Sequence, residues 1–485
     1  MANRTEPSLK EKAAKGLFWG GISNGIQQFL GVVIGVILLR TLTPDDYGMI
    51  GLLAIFIAIG NSLLESGFTV ALTNRKHFDP DDYNSVFWFN LVVAILIYCI
   101  LYLCTPAIAG FYRQPQLIPL ARVLFLSLIL NSLGVAPNAI LFRELKVKEK
   151  AKIDIFSTCG GGIVGIVLAL NGYGYWALAL QTIIYATLST SLRWYFSPWH
   201  PSFRFKSTPI KEMFGFSSKL LFSTIITQIH TNIFSVLLGK FYTKTEVGYF
   251  SQGIKWSGMG IQVLNGMISG ITQPILVKVK DEPEREIKVL RKLLRFIAFI
   301  SFPALFGLGF IAEEFILIIN TEWAPCIPII QLYCLWGAFS PLQTLYNQII
   351  FTHGRSNFYF LITLIYAVAQ ILTAFLSLSK GIYWMAFAMI CVSFLFLVIF
   401  QFYISGFISL KIKDVIKDIS PFFFITLVTL GISYLLTFWI EILSLKLIGK
   451  ITITVILYIG VMKISNSVIF QECLLYLRKK PTSIE

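Results

Sequence analysis

Residues Leu38 to Gly48 read LLRTLTPDDYG, and a second version of this stretch, LGKFYTKTEVG, occupies Leu238 to Gly248, 200 positions later. Each stretch is a short polar break between two long apolar runs. The matching positions carry a basic residue, a threonine, an acidic residue and a glycine: Arg40 with Lys240, Thr43 with Thr243, Asp46 with Glu246, and Gly48 with Gly248. Because an internal repeat constrains the architecture of the whole chain, this correspondence predicts two related halves.

The composition is that of a membrane protein. Of the 485 residues, 56% are hydrophobic and only 13% are charged, whereas about a quarter of the residues of a soluble protein are charged. The apolar residues form runs of about 18 to 25 residues, the length that crosses a hydrocarbon layer of about 30 Å as a helix. The alternating pattern of a membrane barrel is missing. The sequence therefore predicts an all-α polytopic membrane protein.

The apolar runs predict about fourteen transmembrane helices. The repeat extends along them, with an offset that rises slowly: Pro119 matches Pro328, Asn138 matches Asn347, and Tyr175 and Trp176 match Tyr383 and Trp384. We predict a six-helix N-terminal lobe at 1–206, a six-helix C-terminal lobe at 207–410, and two additional helices with a tail at 411–485. An even number of helices per copy gives both lobes the same orientation, which is a parallel repeat.

The basic residues predict the orientation. Most of the 40 lysines and arginines lie in the N-terminal tail and in every second loop after it. The positive-inside rule therefore predicts that both termini are cytoplasmic and that the repeated stretches are periplasmic. The same rule accounts for the net charge of +15 without a nucleic-acid partner.

Motifs of catalysis are missing from the sequence. The four histidines are scattered, the seven cysteines lie mostly in apolar runs without a CxxC spacing, and no phosphate-binding or nucleophile motif is present. We therefore predict no enzymatic activity, no cofactor and no metal site.

Basic residues within or beside the apolar runs are the candidate substrate contacts. Arg122 lies several residues into the fourth predicted helix, and Lys255 lies about two turns into the eighth. A cation at a helix centre costs about 2.5 to 3.5 kcal/mol and is expected to face a cavity or a partner. Arg40 and Lys240 cap the outer ends of the first and seventh helices and are predicted to form the rim of the same chamber. For all four, snorkelling of a long side chain to the headgroups is the alternative.

Three carboxylates are also notable. Glu65 lies near the cytoplasmic end of the second helix. It could bind a coupling ion, pair with a cation or brace a cytoplasmic gate, and the sequence leaves these alternatives open. Glu313 and Glu314, near the outer end of the ninth helix, are predicted to be interfacial.

Connectors, small residues and prolines give further local predictions. The polar stretch 277–294 is expected to be a solvated connector whose helical spacing could extend a span. Gly161 and Gly165 predict close helix packing. Prolines within spans predict bends at four positions: Pro137, Pro274, Pro303 and Pro341.

Four segments carry a family resemblance. They are KGLFWGGISNGIQQFLGVVIGVILLRTLTPDDYGMIGLLAIF from Lys15, then LLESGFTVAL, LLGKFYTKTEVGYFSQGIK and GYGYWALALQ. Together they resemble polysaccharide flippases of the Wzx type, in the superfamily that also contains multidrug and toxic-compound extruders. The resemblance implies a two-lobe transporter of the bacterial inner membrane. Such a transporter moves an undecaprenyl-diphosphate-linked oligosaccharide to the periplasmic leaflet by alternating access, for lipopolysaccharide O-antigen, capsule or exopolysaccharide.

The resemblance also implies roles and partners. Arg122 and Lys255 would neutralise the diphosphate, and Trp256 and Tyr249 would offer faces to sugars unless they serve as interfacial anchors. The expected partners are the lipid-linked oligosaccharide, membrane lipids, H⁺ or Na⁺ as coupling ion, and a polysaccharide polymerase. Two alternatives remain open, a cation-coupled multidrug antiporter of the same fold and a flippase for the peptidoglycan lipid precursor.

Overall fold

A computed structural model describes residues 9–65, 80–144, 146–203, 206, 224–229, 231–465 and 467–472. Within these ranges the regular structure is helical. The α-helices are α1 (Leu9–Thr41), α2 (Pro44–Glu65), α3 (Pro80–Tyr112), α4 (Leu117–Leu124), α5 (Leu126–Leu133), α6 (Val135–Arg143), α7 (Val147–Leu170), α8 (Tyr175–Phe196), α9 (Lys244–Val279), α10 (Pro283–Ile319), α11 (Ile327–Gly337), α12 (Ser340–Thr352), α13 (Ser356–Ser377), α14 (Ile382–Ser405), α15 (Ile412–Thr437) and α16 (Leu443–Ile464). Residues 231–241 are also helical.

The helices identify a multi-pass membrane protein. In the described residues, 10 helical spans are long and apolar enough to cross a membrane, or 11 if the bent pair Leu117–Leu133 and Val135–Arg143 is one span. Helices α8 and α9, of 22 and 36 residues, are long enough but are not among those spans. The all-α membrane fold is confirmed, whereas the count of about fourteen stays a prediction.

The chain forms two compact units, Met1–Gly248 and Tyr249–Glu485. In the first unit, α7 packs against both α1 and α8. In the second unit, α10 lies at the centre and packs against α11, α15 and α16. The predicted lobes at 1–206 and 207–410 and the C-terminal pair at 411–485 stay a prediction.

Glycines bring α7 close to its neighbours, as the sequence predicts. A Cβ atom added at Gly161 would lie 2.9 Å from the carbonyl oxygen of Gln181, and one at Gly165 would lie 3.0 Å from the Gln181 side-chain oxygen. On another side of α7, a Cβ atom at Gly162 would collide with the side chain of Ile34 on α1. In lipid the hydrophobic effect does not drive helices together. Close approach of this kind instead stabilises the helix pair through dispersion contacts.

Two of the four prolines coincide with breaks in helical spans. The fourth span bends by 42° between α5 and α6, with Pro137 in the first turn of α6. Pro341 lies at the start of α12. Backbone N–H groups in the first turn of a helix make no intrahelical hydrogen bond, so proline is tolerated there. At Pro274 and Pro303, by contrast, α9 and α10 continue as helices.

Aromatic packing joins the two C-terminal helices to α10. The rings of Phe302 and Phe306 are stacked with centroids 5.5 Å apart, and both contact Phe423 on α15 at 5.7 Å. On α16, the Tyr458 hydroxyl donates a hydrogen bond of 2.8 Å to the carbonyl oxygen of Phe299. The additional helices are therefore an integral part of the second unit.

Ion pairs agree with the predicted alternation of loops. Three of them join residues that the charge distribution assigns to one side of the membrane: Lys244 with Asp45, Lys450 with Glu314, and Arg291 with Asp418. The first two pairs are assigned to the outer side and the third to the inner side. Which side faces the cytoplasm stays a prediction.

Candidate functional site

The two repeated stretches pack against each other in the first unit. A Cβ atom added at Gly48 would collide with the backbone carbonyl of Lys244, and one added at Gly248 would collide with the backbone carbonyl of Pro44. Pro44 and Lys244 are themselves matched by the offset of 200 residues, so these are two copies of one contact. Only glycine lets two backbones approach so closely. We call these two reciprocal contacts the repeat contact.

Matching caps explain why the threonine and the acidic residue recur. The Thr43 N–H donates to Asp46 Oδ2 at 3.0 Å, and the Asp46 N–H returns a bond to Thr43 Oγ1 at 3.4 Å. In the second copy, Thr243 and Glu246 exchange the same bonds at 3.0 and 3.2 Å. These are capping boxes, which satisfy N–H groups at the start of a helix. They fix the first turns of α2 and α9, and hence the position of both glycines.

A polar link crosses the repeat contact. Lys244 Nζ lies 3.0 Å from Asp45 Oδ2, and the Thr245 hydroxyl donates to Asp45 Oδ1 at 2.5 Å. The two side chains of the ion pair are 30% and 42% exposed. An ion pair in so open a setting contributes about 0 to 1 kcal/mol, so it orients the two stretches more than it holds them together.

The predicted rim residues are both at the surface. Arg40 and Lys240 are exposed. Lys240 donates to the carbonyl oxygen of Phe111 at 3.0 Å, and its ammonium lies 4.3 Å from the centre of the Phe111 ring. Lys240 therefore interacts with the C-terminal end of α3, where the helix dipole favours a cation. That the two residues contact substrate stays a prediction.

Arg122 lies on α4 against two residues of α3. Its guanidinium is 4.2 Å from the ring centre of Tyr102, and its Nε donates to Thr105 Oγ1 at 3.3 Å. The ring of Tyr98, one turn earlier on α3, lies 5.8 Å from that of Tyr102. We call Arg122, Thr105, Tyr102 and Tyr98 the Arg122 cluster. In the part of the chain that the structure describes, Arg122 has no carboxylate partner.

The tyrosines of this cluster were missed by the sequence reasoning. Tyr98 and Tyr102 are four residues apart within a long apolar run, and residues at this spacing share one face of a helix. The four-residue spacing indicates that the two tyrosines lie on one helix face, but it does not indicate that this face contacts Arg122. The cluster joins a guanidinium, which can bind phosphate oxygens bidentately, with aromatic faces and hydroxyl groups suited to sugars.

Lys255 lies on α9 with its side chain exposed, but the neighbouring aromatic residues do not match the predicted sugar contacts. Trp256 is only 5% exposed, and its ring packs against Phe315 at 5.1 Å. Tyr249 is half-buried and contacts Trp323 at 6.1 Å. The expectation that Trp256 offers a face to sugars is wrong for this conformation, because the ring is covered by protein.

A narrow polar stripe runs along α9. The exposed residues of the stripe follow helical spacing: Lys255, Gln262, Gly266 and Gln273. The opposite face is buried and mostly apolar: Leu264, Ile268, Thr272 and Leu276. Exposed apolar side chains flank the stripe at Val263, Met267 and Ile271. The role of Lys255 as a substrate contact stays a prediction.

The predicted gate residue cannot be placed. Glu65 is the last residue of α2, but its side chain lies outside the described residues. Its role as coupling or gate residue stays a prediction.

Glu314 forms a buried ion pair that the sequence did not indicate. Its side chain is 1% exposed and its Oε1 lies 2.6 Å from Nζ of Lys450 on α16. Its interfacial depth stays a prediction. Lys450 also donates to the carbonyl oxygen of Phe310 at 3.3 Å, and Lys446 approaches Glu314 at 3.6 Å. Sequence reasoning missed this pair because its members are far apart in the chain. The basic charge is neutralised here, in contrast to that of Arg122.

Comparison with known proteins identifies the family. Residues 37–328 match the family described as polysaccharide biosynthesis protein. The teichuronic acid biosynthesis protein TuaB of Bacillus subtilis (strain 168) is 23% identical over 73% of this chain and 74% of its own. The lipopolysaccharide biosynthesis protein WzxC of Escherichia coli (strain K12) is 23% identical over 73% of this chain and 72% of its own.

A solved structure supports the fold. The lipid II flippase MurJ, in an inward closed conformation, aligns with a TM-score of 0.74 over 94% of this chain and 99% of its own, at 16% identity. Such a low identity shows a shared fold and nothing more about function.

The matches confirm the resemblance that the repeated stretch and the segments around it predict. Since the family match covers more than half of the sequence, the chain belongs to the polysaccharide biosynthesis protein family.

Proposed function

We propose that the protein is a secondary transporter that flips an undecaprenyl-diphosphate-linked oligosaccharide from the cytoplasmic to the periplasmic leaflet of a bacterial inner membrane. The family and the named roles of TuaB and WzxC in the biosynthesis of surface polysaccharides support this cargo. The fold shared with a lipid II flippase supports the type of movement. The transport step breaks no covalent bond, so the protein needs no catalytic residue.

The observation that carries the proposal is the Arg122 cluster. A diphosphate cannot cross hydrocarbon without a compensating charge, and Arg122 supplies a cation that no described carboxylate neutralises. The guanidinium is held against Tyr102 and Thr105, which orients it before the substrate arrives. Lys255, on the polar stripe of α9, is the second cation that we assign to the diphosphate. The polyprenyl chain remains in lipid throughout.

The repeat contact acts as the outer gate in this proposal. Alternating access requires the two copies to part on one side while they close on the other. Parting would separate the glycine contacts and break the ion pair of Asp45 and Lys244. Loss of the ion pair costs little free energy, because both side chains are partly exposed. Arg40 and Lys240 would then line the rim of the opened chamber.

The remaining assignments follow from this scheme. Both termini lie in the cytoplasm, Glu65 takes part in H⁺ or Na⁺ coupling or in the cytoplasmic gate, and a polysaccharide polymerase receives the flipped repeat unit.

A flippase for the peptidoglycan precursor is the second candidate, because it has the same fold and its cargo is also a lipid-linked diphosphate. Complementation of a strain that lacks its lipid II flippase distinguishes the two.

Arg122→Gln is expected to lower surface polysaccharide at least about thirtyfold in a complementation assay, since truncating one partner of a charged contact costs about 2 to 5 kcal/mol. Lys255→Gln should act in the same direction. Arg122→Lys should restore only part of the activity, because an ammonium cannot bind phosphate bidentately. Immunoblotting of membranes checks that protein levels are equal.

Arg113→Gln is the matched control. Arg113 is an exposed arginine in the turn before α4, so its loss removes the same charge without touching the Arg122 cluster. It should leave the polymer unchanged. Normal polymer from both Arg122→Gln and Lys255→Gln would rule out their assignment to the diphosphate.

A further inference from the structure

A basic groove lies at the start of α10 in the second unit. It encloses about 280 Å³ and lies between α10 and the short helical segment 468–472. We call it the basic groove, and its lining residues are Lys288, Arg291, Lys292, Arg295, Val468, Ile469 and Glu472. Arg291, Lys292 and Arg295 lie three, four and seven positions after Lys288, so the four basic residues share one face of the helix. The stretch predicted to be a solvated connector therefore carries a concentrated positive surface.

A buried carboxylate fixes the two arginines. Arg291 binds Asp418 through Nε at 2.7 Å and through Nη2 at 3.1 Å, and Arg295 binds it through Nη2 at 2.6 Å. The Asp418 side chain is 1% exposed, whereas those of Arg291 and Arg295 are 30% and 44% exposed. One carboxylate thus holds two guanidinium groups that still reach solvent. Such preorganisation lowers the entropy lost when an anion binds.

Positive charge remains after the ion pairs are counted. Lys292 lies 2.7 Å from Glu472, and Asp414 approaches Arg291 only at 3.9 Å. Lys288 has no ion pair within the described part of the chain. The lining residues, counted together with Asp414 and Asp418, therefore carry a net positive charge.

The edge of the groove is apolar. Val468, which lines it, is 64% exposed. Exposed aliphatic side chains next to clustered cations match a molecule with an anionic head and a hydrocarbon tail. A soluble inorganic anion would gain nothing from Val468.

We propose that the basic groove binds the phosphate-bearing headgroup of an anionic membrane phospholipid, with an acyl chain along Val468. The lipid bridges α10 and the segment that follows α16. The proposal does not depend on the identity of the transported glycan.

The test measures lipid binding by the purified full-length protein in detergent, using native mass spectrometry with phosphatidylglycerol and phosphatidylcholine. Phosphatidylglycerol should bind more tightly. The double variant Lys288→Gln/Lys292→Gln should weaken its binding about tenfold, since each basic residue contributes a severalfold factor toward an anionic lipid. Both lysines are exposed, so the variant should fold.

The matched control is Lys278→Gln/Lys280→Gln. It removes the same charge from two exposed residues at the C-terminal end of α9, which do not line the groove, and it should leave phosphatidylglycerol binding within about twofold. Equal losses in the two double variants, or no preference for phosphatidylglycerol, would overturn the proposal. Displacement of the lipid by inorganic phosphate at equal concentration would also overturn it, because the site would then recognise phosphate alone.

Discussion

Gly48→Ala is expected to destabilise the protein by about 1 to 3 kcal/mol, the usual cost of overpacking. Alanine normally stabilises a helix by about 1 kcal/mol relative to glycine, so the expected sign is opposite to that of helix propensity. The reason is the repeat contact, where the added Cβ atom would collide with the Lys244 carbonyl. A backbone group cannot rotate away as a side chain can. Thermal unfolding of the purified protein, followed by tryptophan fluorescence, measures the change.

The repeat gives a matching prediction for the second copy. Gly248→Ala should cost a similar amount, because its Cβ atom would meet the matching carbonyl of Pro44. The double variant should cost less than the sum of the two, since one separation of the stretches relieves both collisions. Gly110→Ala is the control, because a Cβ atom at this helical glycine of α3 meets open space. If Gly48→Ala is as stable as Gly110→Ala, the repeat contact is not as described.

Glu314→Gln is expected to destabilise the protein by about 3 to 5 kcal/mol, since removing one member of a buried ion pair leaves an uncompensated charge. The charge left behind is that of Lys450, whose side chain is 4% exposed. Lys446, at 24% exposure, can turn to solvent and adds little to the penalty. The same thermal unfolding measurement applies.

Two variants separate charge from shape. Glu313→Gln removes the neighbouring carboxylate, which is exposed, and should have almost no effect. The double variant Glu314→Gln/Lys450→Met should regain most of the lost stability, because replacing a whole buried pair by uncharged residues is often neutral. Failure of this rescue would show that the pair contributes through specific hydrogen bonds and not through charge compensation.

Features that depend on local sequence were predictable. Span lengths follow from apolar runs, and close packing of α7 follows from its glycines. These features were accessible because hydrophobic length and residue spacing act within one helix or between matched segments. The repeat also identified Gly48 and Gly248 before their contact was known.

Contacts between distant helices were not predictable. Nothing in the local sequence distinguishes Glu314, which is buried against Lys450, from its exposed neighbour Glu313. The same limit applies to the Arg122 cluster, whose aromatic partners lie on another helix, and to Trp256, which neighbouring protein covers. Which side of a helix faces protein, lipid or water depends on tertiary packing, and periodicity alone does not settle it in a chain that is apolar almost throughout.

The proposed transport can be measured directly. Lipid-linked oligosaccharide extracted from a strain that lacks this protein would be placed in vesicles with the purified protein, and the glycan exposed on the outer leaflet would be followed with a membrane-impermeant oxidant. The account predicts that the exposed fraction rises with the intact protein and not with Arg122→Gln. Equal exposure in vesicles with and without the intact protein would contradict it.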